Sequence, residues 1–243
     1  MAIQKISEGG IILFDFNRTL QDNPEFSRTL NQHIKGVHPE VYDTICEEEQ
    51  RTELRGESFD TLANLEILVG HEKTNDLKES FIKFTRDRNL RFLNPGAEDI
   101  LATLRDKKIA HGILTTGTVE SQKFQIGVSQ LWHVPRLVID RKDKGRMIAE
   151  EEWIDDDGHV RVPPELMIGD VGLFLYTLLV DDKATAFDDA PEGSWRYGSP
   201  RGFFGNYFID RRRQQVASQL GKVPKEVITI HDLCDIQLPP RPL

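Results

Sequence analysis

Residues 11–20 read Ile-Ile-Leu-Phe-Asp-Phe-Asn-Arg-Thr-Leu, an apolar run that ends at Asp15. A short continuous apolar run is typical of a strand buried on both faces of a parallel sheet. The polar residues that follow then form the loop at the carboxyl end of this strand. Because ligands bind at that end in open α/β sheets, the stretch predicts a parallel sheet and also the edge that carries chemistry.

The rest of the chain divides into a helical block and an alternating region. Between residues 23 and 90 apolar residues recur at helical spacing, and no strand is predicted there. Beyond the block, strands and helices alternate, which indicates a parallel sheet with helices on both faces. Strands are predicted at 109–114, 136–139, 175–180, 203–209 and 227–230, and helices at 97–107, 119–131 and 211–220.

Composition excludes several classes of protein. The chain has 243 residues, with 31 Lys and Arg against 40 Asp and Glu, so its net charge is −9 and we expect neither nucleic acid nor a membrane as partner. Its two cysteines, Cys46 and Cys234, indicate no disulfide framework and no zinc site. The first ten residues lack the apolar core of a signal peptide, so we expect a cytoplasmic protein. Nothing in the sequence predicts its oligomeric state.

Further polar groups are expected at the same edge of the sheet. Thr115, Thr116 and Gly117 end a predicted strand, and hydroxyl and backbone N–H groups at such a position can hold phosphoryl oxygens. A lysine before the fourth predicted strand, either Lys142 or Lys144, would neutralise phosphate charge.

Carboxylates complete this edge. Asp15 after a buried strand is a candidate nucleophile or metal ligand. Asp181 and Asp182 follow another apolar run, and because adjacent carboxylates repel each other, a hard cation such as Mg²⁺ is their natural occupant. Asp170 offers an alternative acidic position, but Phe174 stands where a second carboxylate would be needed, so we expect a turn there.

These four elements, in this order, resemble the haloacid dehalogenase (HAD) superfamily of phosphotransferases and phosphatases. The stretch ILFDFNRTL matches its first motif, an apolar strand followed by Asp-x-Asp-x-Thr, at all but one position. GILTTG resembles the second motif, the lysine of KDKGRMI the third, and LLVDD the fourth. The resemblance spans roughly residues 9–190.

The resemblance implies an α/β fold, with a Rossmann-like parallel sheet core and an inserted all-helical cap domain. Residues 1–22 and 91–243 would form the core, and residues 23–90 the cap that selects the substrate. The implied activity is a Mg²⁺-dependent phosphohydrolase that acts on a small phosphorylated substrate.

The resemblance also implies roles for individual residues. Asp15 would attack phosphorus and form an aspartyl phosphate, while Thr115 and Lys144 hold the transferring oxygens. Mg²⁺ would be held by Asp15, by Asp181 or Asp182, and by the backbone carbonyl of residue 17. Thr116, Gly117 and Lys142 are further candidates for phosphate binding. Arg18 is another, although the favoured interpretation is an arginine that faces solvent or the cap.

Asn17 departs from the HAD pattern, because the phosphatases carry a second Asp there. In the family this Asp protonates the leaving group and activates water, whereas an amide hydrogen-bonds but transfers no proton. Three explanations stay open: an engineered Asp-to-Asn change that impairs the enzyme, a natural non-catalytic protein that binds phosphate, or another reaction such as dehalogenation. The Asp181–Asp182 pair argues against a dehalogenase, which needs no metal.

Overall fold

The computed structural model describes residues 5–7, 9–55, 59–150, 153–154, 159–175, 177–182, 186, 207–209, 228–230 and 233–236. The predicted helix at 211–220 lies outside these residues. Within them, no helix has the length and apolar character needed to cross a membrane. The strands are β1 (Lys5–Ser7), β2 (Ile11–Phe14), β3 (Ala110–Thr116), β4 (Arg136–Ile139), β5 (Val160–Arg161), β6 (Val171–Phe174), β7 (Thr177–Asp181), β8 (Tyr207–Ile209) and β9 (Ile228–Ile230). The helices are α1 (Asn23–Val37), α2 (Pro39–Leu54), α3 (Thr61–Val69), α4 (His71–Asp87), α5 (Ala97–Asp106), α6 (Val119–Val128) and α7 (Lys144–Glu150).

The main sheet has six parallel strands in the order β4-β3-β2-β7-β8-β9. β2 lies between β3 and β7, and all four of its side chains are buried. Apolar residues on both faces of a strand are what a sheet covered on both sides requires. The predicted parallel α/β fold is therefore confirmed.

The register of the central strands brings their carboxyl ends together. Phe14, the last residue of β2, pairs with Ile113 of β3 and with Val180 of β7. Because parallel strands run in the same direction, the residues that follow them emerge at one edge of the sheet. This edge carries Asp15, the end of β3 and the end of β7.

A second, three-stranded sheet of order β1-β6-β5 was not predicted. The strand expected over 175–180 is confirmed as β7, which begins at Thr177, whereas β6 directly before it belongs to the second sheet and was not predicted. Phe174 at the end of β6 is fully buried, whereas Leu175 is 39% exposed where the chain passes between the sheets. A continuous apolar run hides such a break, since strands of either sheet bury the same residue types.

Helices α1 to α4 occupy the interval between β2 and α5, and their buried side chains form one apolar cluster. Phe26 of α1 packs edge-on against Phe81 of α4, with ring centroids 5.9 Å apart. Phe124 and Val128 of α6 belong to the same cluster. We call α1 to α4 the helical block; its apolar cluster packs it against α6.

Candidate active site

Asp15 is the first residue after β2, and it is 4% exposed. Its backbone N–H donates to the carbonyl oxygen of Val180 at 2.8 Å. The chain then turns, since the N–H groups of Leu20 and Gln21 both donate to the carbonyl of Phe16. This turn ends the strand and keeps Asp15 at the edge of the sheet.

Lys144 is a buried cation at this edge, and it is the first residue of α7. Its ammonium donates to one carboxylate oxygen of Asp15, and to Oδ2 of Asp181 at 2.6 Å. Burial lowers the pKa of the Lys144 ammonium, but the two carboxylates outweigh this effect, so the pKa lies above its usual value of 10.5. The site therefore holds a permanent positive charge at neutral pH.

Three buried carboxylates form a cluster at this edge, and two of them contact the Lys144 ammonium. Asp15, Asp181 and Asp182 each place one oxygen within 4.8 Å of the other two. Together with the Lys144 ammonium they carry a formal charge of −2, which a divalent cation would neutralise. The Oδ2 atom of Asp15 is buried and accepts no hydrogen bond from the described residues. Hard carboxylate oxygens are the ligands that Mg²⁺ prefers, so the residues present fit a magnesium ion.

Asn17 lies two residues after Asp15, and its side chain is half-buried. Its Oδ1 atom is buried and has no hydrogen-bond partner among the described residues. An amide oxygen can accept a hydrogen bond, but the amide neither donates a proton to a leaving group nor removes one from water at neutral pH. Position 17 therefore offers an amide that can hydrogen-bond to a ligand, but it offers no acid–base group.

Thr115 and Thr116 at the end of β3 direct their hydroxyl groups to different partners. The buried Thr115 Oγ1 donates to Oε1 of Gln122 at 3.2 Å. Thr116 Oγ1 donates to the carbonyl oxygen of Arg141 at 2.9 Å, in the segment that leads to Lys144. The hydroxyl of Thr116 thus connects the end of β3 to the segment before Lys144, while that of Thr115 points to α6.

Gly117 follows in a backbone conformation that favours glycine, with φ at 146°. A Cβ atom built there would lie 2.8 Å from Nε2 of Gln122. Any side chain at this position would therefore displace Gln122, the residue to which Thr115 donates.

The remaining predicted residues lie at different distances from the chemistry. Lys142 is exposed, so the lysine that the structure brings to the carboxylates is Lys144. Arg18 is half-buried and has a left-handed φ of 65° in the loop after Asp15. Asp170 is exposed in a turn beside Gly169 and does not belong to the carboxylate cluster.

Two residues that support the site were not predicted. The side-chain amide of Asn94 donates to the carbonyl oxygens of Arg18, Thr19 and Gln21, at 2.8, 3.0 and 2.9 Å. The Asn-Pro-Gly sequence at this point signals a turn, but nothing local to it indicates three partners more than seventy residues away. Gln122 was missed because a polar residue inside a helix carries no signal of what it contacts.

Comparisons with known proteins address the fold. No protein-family model matches the sequence, and a comparison with curated proteins found no match. A haloacid dehalogenase-like hydrolase from Burkholderia xenovorans LB400 is similar in structure over 94% of this chain and 95% of that chain, with 18% sequence identity and a TM-score of 0.59. The chain has the haloacid dehalogenase-like fold. The resemblance inferred from the four sequence elements is therefore confirmed at the level of the HAD-like fold.

Two further structures with HAD descriptions are similar at lower scores. The HAD-hydrolase YfnB from Bacillus subtilis matches 94% of this chain and 97% of its own, with 16% identity and a TM-score of 0.44. A HAD hydrolase of family IA, variant 3, from Entamoeba histolytica matches 94% and 96%, with 14% identity and a TM-score of 0.46. Neither structure identifies the activity of this chain.

Proposed function

We propose that this protein is a Mg²⁺-dependent phosphohydrolase that acts on a small phosphorylated metabolite in the cytoplasm. The observation that carries the proposal is the buried group of Asp15, Asp181, Asp182 and Lys144 at the carboxyl edge of the sheet. In a HAD-like fold, a nucleophile, a cation site and a fixed ammonium at this edge suit phosphoryl transfer.

Asp15 is the proposed nucleophile. Lys144 engages one of its carboxylate oxygens, and the other, Oδ2, accepts no hydrogen bond from the described residues. In the first step an Asp15 oxygen attacks phosphorus, the bond between phosphorus and the ester oxygen breaks, and the electron pair leaves with that oxygen. The product is an aspartyl phosphate on Asp15.

Asp15, Asp181 and Asp182, together with the backbone carbonyl of residue 17, are the groups proposed to hold Mg²⁺. When bound, the ion would offset the repulsion between the Asp15 carboxylate and a phosphate dianion. The ammonium of Lys144 contributes a further positive charge to the same pocket. The hydroxyl of Thr115 donates its one proton to Gln122, and it is a candidate donor to a phosphoryl oxygen after the hydroxyl rotates away from that partner.

Asn17 limits both steps of this reaction. The leaving oxygen has to take its proton from solvent, and the water that hydrolyses the aspartyl phosphate has no base at position 17. Positioned acid–base catalysis contributes about 10²–10⁴-fold, so we propose slow turnover and a long-lived aspartyl phosphate. The helical block is the proposed cap, which selects the substrate.

Hydrolysis of p-nitrophenyl phosphate tests the proposal. We expect the Asn17→Asp variant to hydrolyse it about 10²–10⁴-fold faster than the unaltered chain, with Mg²⁺ and not with EDTA. Asp15→Asn in the Asn17→Asp background is the matched control, since it changes the same chemical group and should abolish activity. Turnover that survives Asp15→Asn, or that persists in EDTA, would rule the proposal out.

Asn17 itself favours a second candidate, a non-catalytic protein that binds phosphate. A binder needs the cation site, Lys144 and Thr115, but no acid–base group. In that case Asn17→Asp brings no turnover of any phosphoester in a panel, while inorganic phosphate with Mg²⁺ still binds, as measured by calorimetry.

A further inference from the structure

Asp60 connects the helical block to the core. It is the N-cap residue of α3, where its Oδ1 accepts a hydrogen bond from the N–H of Ala63 at 3.0 Å. The same carboxylate accepts from Oγ1 of Thr118 at 2.7 Å and from Oγ of Ser121 at 2.6 Å. Both hydroxyls belong to the start of α6, so one charged group joins two parts of the chain about sixty residues apart.

These bonds reach the segment that follows β3. Thr118 is the N-cap residue of α6 and comes directly after Gly117. Ser121 is 7% exposed and precedes Gln122, the buried acceptor of the Thr115 hydroxyl. The contacts of Asp60 thus end one residue away from the side chain that orients the proposed phosphate-binding threonine.

A carboxylate suits this position for a chemical reason. A carboxylate oxygen accepts more than one hydrogen bond, and bonds to an ionised acceptor are stronger than those between neutral groups. Asp60 can therefore cap α3 and hold two hydroxyls at once. A neutral asparagine retains one oxygen acceptor and turns the other end of the group into a donor.

We propose that Asp60 is a positioning residue, which fastens the helical block onto the first turn of α6 and thereby sets Gln122 and Thr115 for phosphoryl transfer. This inference rests on the proposed function for its catalytic consequence. Its structural part, closure of the helical block through Asp60, stands on the hydrogen bonds alone. Loss of the bonds releases the start of α3 from α6 and loosens the turn that carries Gln122, while the apolar cluster still packs the helical block against α6.

The two cysteines of the chain permit a direct test of closure. Cys46 lies on α2 in the helical block, and Cys234 is a solvent-exposed residue of the α/β part of the chain. Nitroxide labels on both would report the distance between the two parts by pulsed electron paramagnetic resonance, with no cysteine introduced. We expect one narrow distance distribution for the unaltered chain with MgCl₂ and inorganic phosphate, and an additional longer distance in Asp60→Asn.

Ser121→Ala removes one of the two hydroxyls that donate to Asp60 from the core and leaves the cap of α3 intact. We expect it to produce the longer distance in a smaller fraction of molecules than Asp60→Asn, with no further increase when the two are combined, because Asp60→Asn already disturbs the same interaction. Asp76→Asn makes the same charge change at an exposed position of α4 and should leave the distribution unaltered.

Kinetics give the second measurement. In the Asn17→Asp background, Asp60→Asn and Ser121→Ala should each lower kcat/KM about tenfold, mostly through kcat. Both variants should still be folded during the assay, with a thermal midpoint of unfolding above the assay temperature. An unchanged distance distribution in both variants would contradict the proposed role of Asp60 in closure, whether or not the enzyme is active. Absence of Mg²⁺-dependent turnover in the background variant would instead count against the proposed function, and the distances would still decide closure.

Discussion

Lys144 at the start of α7 donates a hydrogen bond to Asp181 at the end of β7 at 2.6 Å, although the two residues lie 37 positions apart in sequence. Both side chains are almost completely buried. A buried ion pair is expensive to desolvate, and it persists when further charges share the site. The pairing therefore makes Lys144 a structural counter-ion of the carboxylate cluster as well as a catalytic candidate.

Lys144→Met tests this double role. Without the ammonium, the buried Asp15 and Asp181 carboxylates lose a buried cation that hydrogen-bonds to both, so we expect the free energy of unfolding in EDTA to fall by about 3–5 kcal/mol. Because Mg²⁺ binds the folded state, saturating Mg²⁺ should restore part of the loss. Urea titrations with Mg²⁺ and with EDTA measure both effects.

Lys142→Met is the matched control, since Lys142 is exposed two residues away. It should change the free energy of unfolding by no more than about 0.5 kcal/mol in either medium. If Lys144→Met were as stable as this control in EDTA, the buried charge cluster would not exist as described.

The leaving group should control the rate while residue 17 is Asn. With no acid to protonate the departing oxygen, the unaltered chain should have a far higher kcat/KM for p-nitrophenyl phosphate than for phenyl phosphate, whose leaving group is much more basic. The comparison uses kcat/KM because it reports formation of the aspartyl phosphate, the step in which the leaving group departs. Asn17→Asp should shrink the ratio of the two kcat/KM values. Equal ratios in the two proteins would show that position 17 takes no part in proton transfer.

Asn94 is expected to stabilise the loop that carries Asn17. Its amide NH2 lies within hydrogen-bond distance of three backbone carbonyls of that loop but carries two protons, so one bond is shared, and each full bond is worth about 1 kcal/mol. Asn94→Ala should thus lower the free energy of unfolding by about 2 kcal/mol. Asn75→Ala, which removes an amide from an exposed hydrogen bond on α4, should be nearly neutral in the same urea titrations.

His111 should make stability depend on pH. Burial at the start of β3 lowers the pKa of this histidine below its usual value of 6.5, and the positive charges of His133 and Arg105 lower it further. The unfolded chain therefore binds the proton more readily, so the stabilisation present above pH 6.5 is lost as pH falls through the lower pKa of the folded state.

The measurement is the free energy of unfolding at pH 7.5 and at pH 5.5. His111→Gln should lose less stability between these values than the unaltered chain, whereas His71→Gln, a change at an exposed histidine, should not reduce the loss. An undiminished loss in His111→Gln would place the pH dependence elsewhere.

Much of the fold follows from local patterns in the sequence. The run Ile11–Phe14 is apolar at every position, so only a strand covered on both faces suits it, and the structure has that strand at the centre of the main sheet. The ends of β3 and β7 could be placed beside Asp15 because parallel strands share an edge. β6 was not predicted, since it is a short apolar run directly before β7 and only long-range pairing assigns it to a different sheet.

The candidate site was less accessible to such reasoning. Spacing could not choose between Lys142 and Lys144, because the choice depends on where α7 begins and which side chain faces the carboxylates. Asn94 and Asp60 contact partners distant in sequence, and Gln122 contacts a strand residue seven positions before it. A single sequence carries no local signal of these contacts. Asn17 is different, because its chemistry is evident from the residue type alone.

The central claim is that Asp15 becomes phosphorylated, and trapping that species tests it most directly. The chain is mixed with p-nitrophenyl phosphate and Mg²⁺, quenched in acid, digested and examined by mass spectrometry. We predict a phosphoryl group on Asp15, present with Mg²⁺, missing with EDTA, and shorter-lived in Asn17→Asp. A phosphoryl group on another residue, or none on Asp15 while Asn17→Asp turns the substrate over, would contradict the account.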